Sequence, residues 1–200
     1  MAGEIHEKVG RVDEAMAAYV EFESRFGNDR RAADAKLRRA ALLARRREPK
    51  AQAQSQVLLN DVVRDYPGSP QALLALQTKM QRESDRNNLR AIDPLTKREG
   101  PALIATLRTA IEQFPDTPQA LGWRNRLAMA LAQEDRHQEA ADVLEELGAR
   151  NPSAPNDLYF RLGELYERRL KDPAKAKQAY AKVPPGSPRY NDAQRKLNQK

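Results

Sequence analysis

Apolar residues recur along this chain at intervals of three and four, and nowhere alternate in twos for long. Leu127, Ala128 and Leu131 fall on one helical face, the polar turn "EDRHQ" follows at 134–138, and Ala140, Leu144 and Leu147 form a second face. That spacing predicts two amphipathic helices joined by a tight turn. The pattern returns at 162–188, where Leu162, Gly163 and Tyr166 face Ala176, Tyr180 and Val183. Small residues, Ala128 opposite Ala140 and Gly163 opposite Ala176, allow the paired helices a close approach. Residues 31–47 and 51–66 predict another hairpin, carrying Leu37, Ala40 and Leu43, then Leu58, Leu59 and Val62. Leu73, Leu76 and Met80 start a further helix at 70–83, with 101–114 as its partner, begun by Pro101. Between these two lies an insertion, 83–100, expected to extend the first helix and then loop at Asp93-Pro94 and Glu99-Gly100. The fold class expected is all-α, with roughly nine or ten helices in antiparallel pairs and no sheet.

The joints between helices repeat almost verbatim. "RDYPGSPQAL" at 64–73 returns as "EQFPDTPQAL" at 112–121, with relatives "ARNPSAPNDL" at 149–158, "KVPPGSPRYN" at 182–191 and a fainter "SRFGNDRRAA" at 24–33. The first Pro ends a helix, because it lacks a backbone donor and clashes with the preceding turn. The second (Pro70, Pro118, Pro155, Pro188) suits a first helical position, with Ser69, Thr117 or Ser187 placed to cap. The stops at Gly27, Pro67, Pro115, Pro152 and Pro188 are 40, 48, 37 and 36 residues apart. One joint is reused because the unit it joins is reused.

This arrangement resembles the tetratricopeptide repeat, a family of helical hairpins about 34 residues long. Tyr159, Leu162, Gly163, Tyr166, Ala176, Tyr180 and Pro188 fit the family pattern, with one extra residue in the turn. Leu127, Ala128, Leu131, Ala140, Leu144 and Pro152 fit it with Ala in place of Gly. Residues 10–15 with Tyr19 and Phe22 look like a turn and second helix whose first helix is mostly missing, as though the chain began inside a repeat. The resemblance implies a right-handed α-α superhelix of stacked hairpins. It divides one array into a partial repeat over 1–30, repeats over 31–67, 70–115 (with the 83–100 insertion), 118–152 and 156–188, and a C-terminal helix or cap at 189–200. The "YPGSPQA" joint is similar to those of bacterial envelope members of the family, such as lipoproteins of outer-membrane assembly and the periplasmic cell-division coordinator. That likeness favours periplasm or cell envelope over cytoplasm.

Composition narrows the chemistry. Aromatic residues are 6% of the chain, so the core is expected to be built largely from Ala and Leu. Cysteine is absent, which excludes disulfides and thiolate metal sites. No apolar run approaches the roughly 20 residues of a membrane span. The N-terminal residues show no signal-peptide core. With 35 basic and 28 acidic residues the net charge is +7, read as a solvated, arginine-rich helical surface, with acidic partners as the alternative.

No catalytic constellation is legible. The two histidines, His6 and His137, are far apart, and His137 lies in a polar turn. There is no phosphate-binding Gly-rich loop, no G-x-S-x-G and no H-E-x-x-H. Glu145 and Glu146 read as surface charge, while Trp123, Tyr159, Tyr166 and Tyr180 read as core. The expectation is a non-enzymatic protein with no cofactor and no bound metal. Arg38, Arg39, Arg45, Arg46, Arg47 and Lys50 crowd one helix and its end. Cations there complement the helix macrodipole. The functional reading is an acidic protein or lipid site at Arg38, Arg45, Arg46 and Arg47. Nucleic acid is disfavoured, since no aromatic residue is interleaved for stacking.

The family resemblance also implies a concave groove lined by one face of each first helix, where a protein or peptide partner lies. Mapped onto this chain, that face carries Asp157, Phe160, Glu164 and Glu167; Asn125, Met129 and Ala132; Gln71, Leu74, Thr78 and Gln81; and Leu37, Ala40, Ala44 and Arg47. Leu74, Met129 and Phe160 are the expected apolar anchors, with Thr78, Asn125, Asp157 and Glu164 beside them. The alternative is a structural spacer or assembly platform within a larger envelope or secretion complex.

Overall fold

The computed structural model describes residues 2–27, 29–85, 89–151 and 157–199. Pro152 and Pro155, expected to stop one helix and start the next, lie outside them. The described residues form eleven α-helices, and the chain divides into two compact units, Met1–Arg90 and Ala91–Lys200. The all-α repeat architecture holds within each. The two helices assigned to the 70–115 repeat belong to different units.

The first unit holds α1 (Ala2–Lys8), α2 (Val12–Arg25), α3 (Arg30–Arg45), α4 (Pro49–Asp65) and α5 (Pro70–Asp85). Each helix packs on the next in sequence, and α3 also reaches α5. The first helix expected to be mostly missing is present, though only seven residues long. It earns its place through Gly3. A Cβ built there would stand 2.5 Å from Cε1 of Tyr19, so only glycine lets the tyrosine ring of α2 lie flat on α1. The Tyr19 hydroxyl then donates to Oε2 of Glu7, 2.9 Å away, one turn further along α1. Between α3 and α4, the Gln52 amide donates to the carbonyls of Ala44 (2.8 Å) and Arg46 (2.6 Å), which have no partner inside the helix. Buried Ser55 donates to the Ala40 carbonyl at 2.6 Å and accepts from Arg82 of α5.

The second unit is entered through a two-stranded ribbon, β1 (Arg90–Ile92) and β2 (Glu99–Pro101). This corrects the expectation of no sheet. Strands of three residues are too short to show alternation, and the ribbon is closed by side-chain chemistry instead. Within the turn, the Asp93 amide donates to the Arg98 carbonyl and the Asp93 carboxylate accepts from the Leu95 amide at 2.9 Å. Six helices follow: α6 (Ala102–Gln113), α7 (Pro118–Gln133), α8 (His137–Arg150), α9 (Leu158–Leu165), α10 (Pro173–Ala181) and α11 (Tyr190–Asn198). Each packs on its neighbour in sequence, and a π-helical turn, Tyr166–Leu170, extends α9.

Three of the hairpins share one turn geometry. A residue with positive φ stands in the turn of each: Gly10 (76°), Asp135 (55°) and Lys171 (56°). Gly10 and Asp135 each lie seven residues beyond the small residue of the first helix, Gly3 or Ala128, whereas Lys171 lies eight beyond Gly163. The extra residue of the last repeat therefore sits before the turn, inside the first helix, where the π-helical turn absorbs it. The sequence reading placed it in the turn. Of the expected caps, Ser69 accepts from the Ala72 amide at 3.0 Å; Ser187 accepts from the Arg189 amide at 3.1 Å, but Arg189 is the N-cap of α11 and has no side-chain cap. Thr117 does not cap; its hydroxyl donates back to the Phe114 carbonyl. Pro70 and Pro118 are first helical residues, while Pro188 precedes α11.

Two tests follow from this packing. A Cβ on Gly163 would stand 2.4 Å from Tyr180, so Gly163→Leu should cost about 2–4 kcal/mol in urea unfolding. Gly122, on α7, has open space around it, and Gly122→Ala should stabilise by roughly 0.5–1 kcal/mol through helix propensity. Equal stability of the two variants would refute the assigned register.

A further test concerns the ribbon anchor. The Asp93 carboxylate is buried and pairs with Arg108 of α6 (3.0 Å) and Arg136 before α8 (2.6 Å). Burial alone would raise its pKa, but hydrogen bonds from Arg136 and the Leu95 amide and the charge of Arg108 outweigh that and hold it at about 2. A folded-state pKa below the unfolded one contributes stability above about pH 4 that is lost as pH falls towards 2. The parent should lose on the order of 2 kcal/mol across that window through this group. Asp93→Asn should be less stable at neutral pH and show a flatter profile from pH 4 to 2 by chemical denaturation.

Candidate partner-binding cleft

The first helices of the last two full hairpins, α7 and α9, present side chains at four-residue intervals to a shared cleft of about 550 Å³. Asn125, Met129 and Gln133 line one side, and Asp157, Arg161 and Leu165 the other. Its floor is made by Ala128, Ala140 and Leu144, where small residues keep the surface low. Arg161 donates to Oδ1 of Asn125 at 2.8 Å, so the two walls are bridged at one end by a fixed polar pair. Met129 stands 48% exposed in this setting, next to the exposed Asp157. A flexible, polarisable thioether on a low alanine floor can adapt to an apolar side chain laid over it.

The structure brings together three of the expected groove residues, Asn125, Met129 and Asp157. Phe160 is not among them. It is 3% exposed, its ring centroid 5.5 Å from that of Tyr180 and 4.3 Å from the Arg189 guanidinium stacked over the ring. The expectation of an exposed anchor fails because the row facing the cleft runs through every fourth residue from Asp157, turning Phe160 into the core. Glu164 is half-buried and ion-paired with Arg168 at 3.0 Å. Arg161 was not singled out by the sequence reading. Its signal was available: it is the residue four beyond Asp157 and four before Leu165. In the first unit, Leu74 is 52% exposed on α5, and the Thr78 hydroxyl donates back to the Leu74 carbonyl at 2.8 Å.

The basic cluster is divided. Arg38 pairs with Glu4 (2.8 Å) and Glu7 (3.3 Å), Arg39 with Glu23 (2.6 Å) and Arg46 with Asp13 (2.7 Å). Arg38, Arg39 and Arg46 thus fasten α3 to α1 and α2, and they are not free for an acidic partner. Arg45 and Arg47 remain exposed.

Residues read as plain surface charge do structural work. Glu145 accepts from the Tyr166 hydroxyl at 2.7 Å. Glu146 takes Arg150 at 2.8 Å and the buried Arg124 at 3.3 Å. Trp123, Tyr166 and Tyr180 are core as expected, and Tyr159 is half-buried against Gly148. His137 lies 3.3 Å from Asp135. Among the described residues no three histidine or carboxylate side chains gather as a metal site, and no helix is long and apolar enough to cross a membrane.

Residues 157–184, which span α9, the π-helical turn and α10, match the family model of the tetratricopeptide repeat. A comparison with curated proteins finds no match. The match covers that one hairpin, and the turn register it shares with α1–α2 and α7–α8 makes those hairpins similar to it. Repeats of this family are typically non-enzymatic scaffolds for protein–protein interaction.

The burial of Phe160 gives a test that separates core from cleft. Phe160→Ala should cost about 3–5 kcal/mol in urea melts, as expected for a buried aromatic. Met129→Ala should change stability by less than about 1 kcal/mol. A stable Phe160→Ala variant would return Phe160 to the surface.

Proposed function

We propose that this chain is a non-enzymatic scaffold that holds a segment of a partner protein in the cleft between α7 and α9. The observation that carries the reading is Met129, half exposed on a concave, alanine-floored surface with polar groups fixed at its rim. A helix or extended segment would lay one apolar side chain over Met129 and Leu144. Arg161 and Asp157 would set its register by charge and hydrogen bonding rather than supply most of the affinity. Leu74 on α5 offers the first unit a separate apolar contact of the same kind.

Photocrosslinking in the native host tests this. Benzoylphenylalanine placed at position 129 should yield a discrete adduct with a protein partner, and the same group at the exposed Lys177 of α10 should not. The adduct should weaken when Arg161→Ala is added. Adducts at 177 alone would move the binding surface off the cleft, and none at either position would favour the spacer or assembly-platform reading.

A further inference from the structure

At one end of the first unit, the α1–α2 and α3–α4 turns are tied side by side. Arg38 of α3 reaches Glu4 and Glu7 of α1, and Arg46 reaches Asp13 of α2. Around these pairs stand further cations, Arg11, Arg45, Arg47 and Lys50, all exposed and with no ion pair among the described residues. Lys8 is exposed beside them.

Helix electrostatics explains only part of this set. Lys8 and Arg45 end α1 and α3, where the macrodipole favours positive charge. Arg11 and Lys50 do the reverse. Arg11 occupies the N-cap of α2 without a side-chain capping bond, and Lys50 lies in the first turn of α4, which has no acidic residue. Cations are disfavoured at both places. The same turn exposes two aliphatic side chains, Val9 (63%) and Val12 (36%).

We infer that this turn end is a docking surface for an anionic phospholipid membrane. Unpaired cations set beside short aliphatic side chains match the layered chemistry of such a surface, with phosphate outermost and acyl chains beneath. The adjoining valines offer contact to acyl chains beneath the phosphates, which favours a bilayer over a purely acidic segment such as poly-glutamate. Attachment of this kind is peripheral and reversible, and it leaves the cleft of the second unit out of the contact residues.

Vesicle flotation of the full chain tests this, with phosphatidylcholine vesicles against vesicles containing about one-third phosphatidylglycerol. Binding should require the anionic lipid and fall steeply between low salt and about 0.5 M salt, as screening shortens the field. The triple substitution Arg11→Gln, Arg47→Gln, Lys50→Gln should weaken binding at least tenfold. Val9→Ser with Val12→Ser should weaken it several-fold, while Lys177→Gln should leave it unchanged. Unchanged circular dichroism and urea midpoints would show that the variants fold. Equal binding to both vesicles, or anionic binding untouched by the triple variant, would overturn the inference. So would absence of vesicle binding, and if poly-glutamate is then captured by the parent and lost in the triple variant, the surface belongs to an acidic protein.

Discussion

The helical hairpin of this protein depends on a contact in which a tyrosine ring occupies the space of a missing side chain. Gly163 receives Tyr180 and Gly3 receives Tyr19, each at distances a Cβ would forbid. Once the ring lies there, its hydroxyl reaches a glutamate one turn along the first helix: Glu167 at 2.7 Å or Glu7 at 2.9 Å. A cation from the next helix closes the set, Lys196 in one case and Arg38 in the other. A bond from a neutral donor to a carboxylate contributes about 1.5–3 kcal/mol, comparable to the burial of the ring itself. Its donor keeps its proton through the neutral range. Burial and the Glu7 bond push the Tyr19 hydroxyl up to about 12, and burial with the Glu167 bond raises Tyr180 further, so both remain donors under ordinary conditions. The α7–α8 hairpin has Ala128 and Leu144 at the corresponding positions, both buried in one core cluster, with neither ring nor hydroxyl.

The fixed register has a second consequence. If the small residue and the positive-φ turn residue are locked to each other, an extra residue must be absorbed somewhere in between. In the last hairpin the helix takes it as a π-helical turn, and Lys171 is held left-handed to restore the turn. Asp172 then caps α10 by accepting from the Lys175 amide at 2.9 Å. The ribbon of the second unit is held by the opposite strategy. It has almost no apolar packing, with Ile92 and Leu95 exposed, and depends on one buried carboxylate shared by two guanidinium groups. Removing one member of such a set leaves buried charge uncompensated, so the ribbon is specified by few residues but strongly.

These differences decide what was legible in the sequence. Periodicity of three and four exposed α2 through α10, because each buries a regular stripe. The ribbon was invisible, since three-residue strands carry no period and Asp93-Pro94 reads as an ordinary loop. Glycine identified the close approach at 163, but its ring partner was one turn off the expected Ala176, because size complementarity acts at the tyrosine. The family's groove face pointed to Met129, Asn125 and Asp157, which line one cleft. Phe160 was lost and Arg161 missed for one reason: rows at three and four residues diverge within a turn, and it is packing against Tyr180 and Arg189 that turns Phe160 inward.

The same contacts separate charges used inside the fold from side chains left at the surface. Charges near the core, such as Arg38, Arg46, Glu145 and Glu167, are consumed by partners inside the fold, so net charge alone overstates what the surface offers. What remains is spatially sorted. Met129 and its rim lie on the first-helix face of the second unit, while unpaired cations gather at the turns of the first. A hairpin repeat makes this sorting natural, because close approach fixes the inner face of each helix and leaves the outer face and the turns free to vary. Function on such a scaffold is therefore written in residues the packing does not use, and Met129, Arg11 and Lys50 are residues for which packing gives no account.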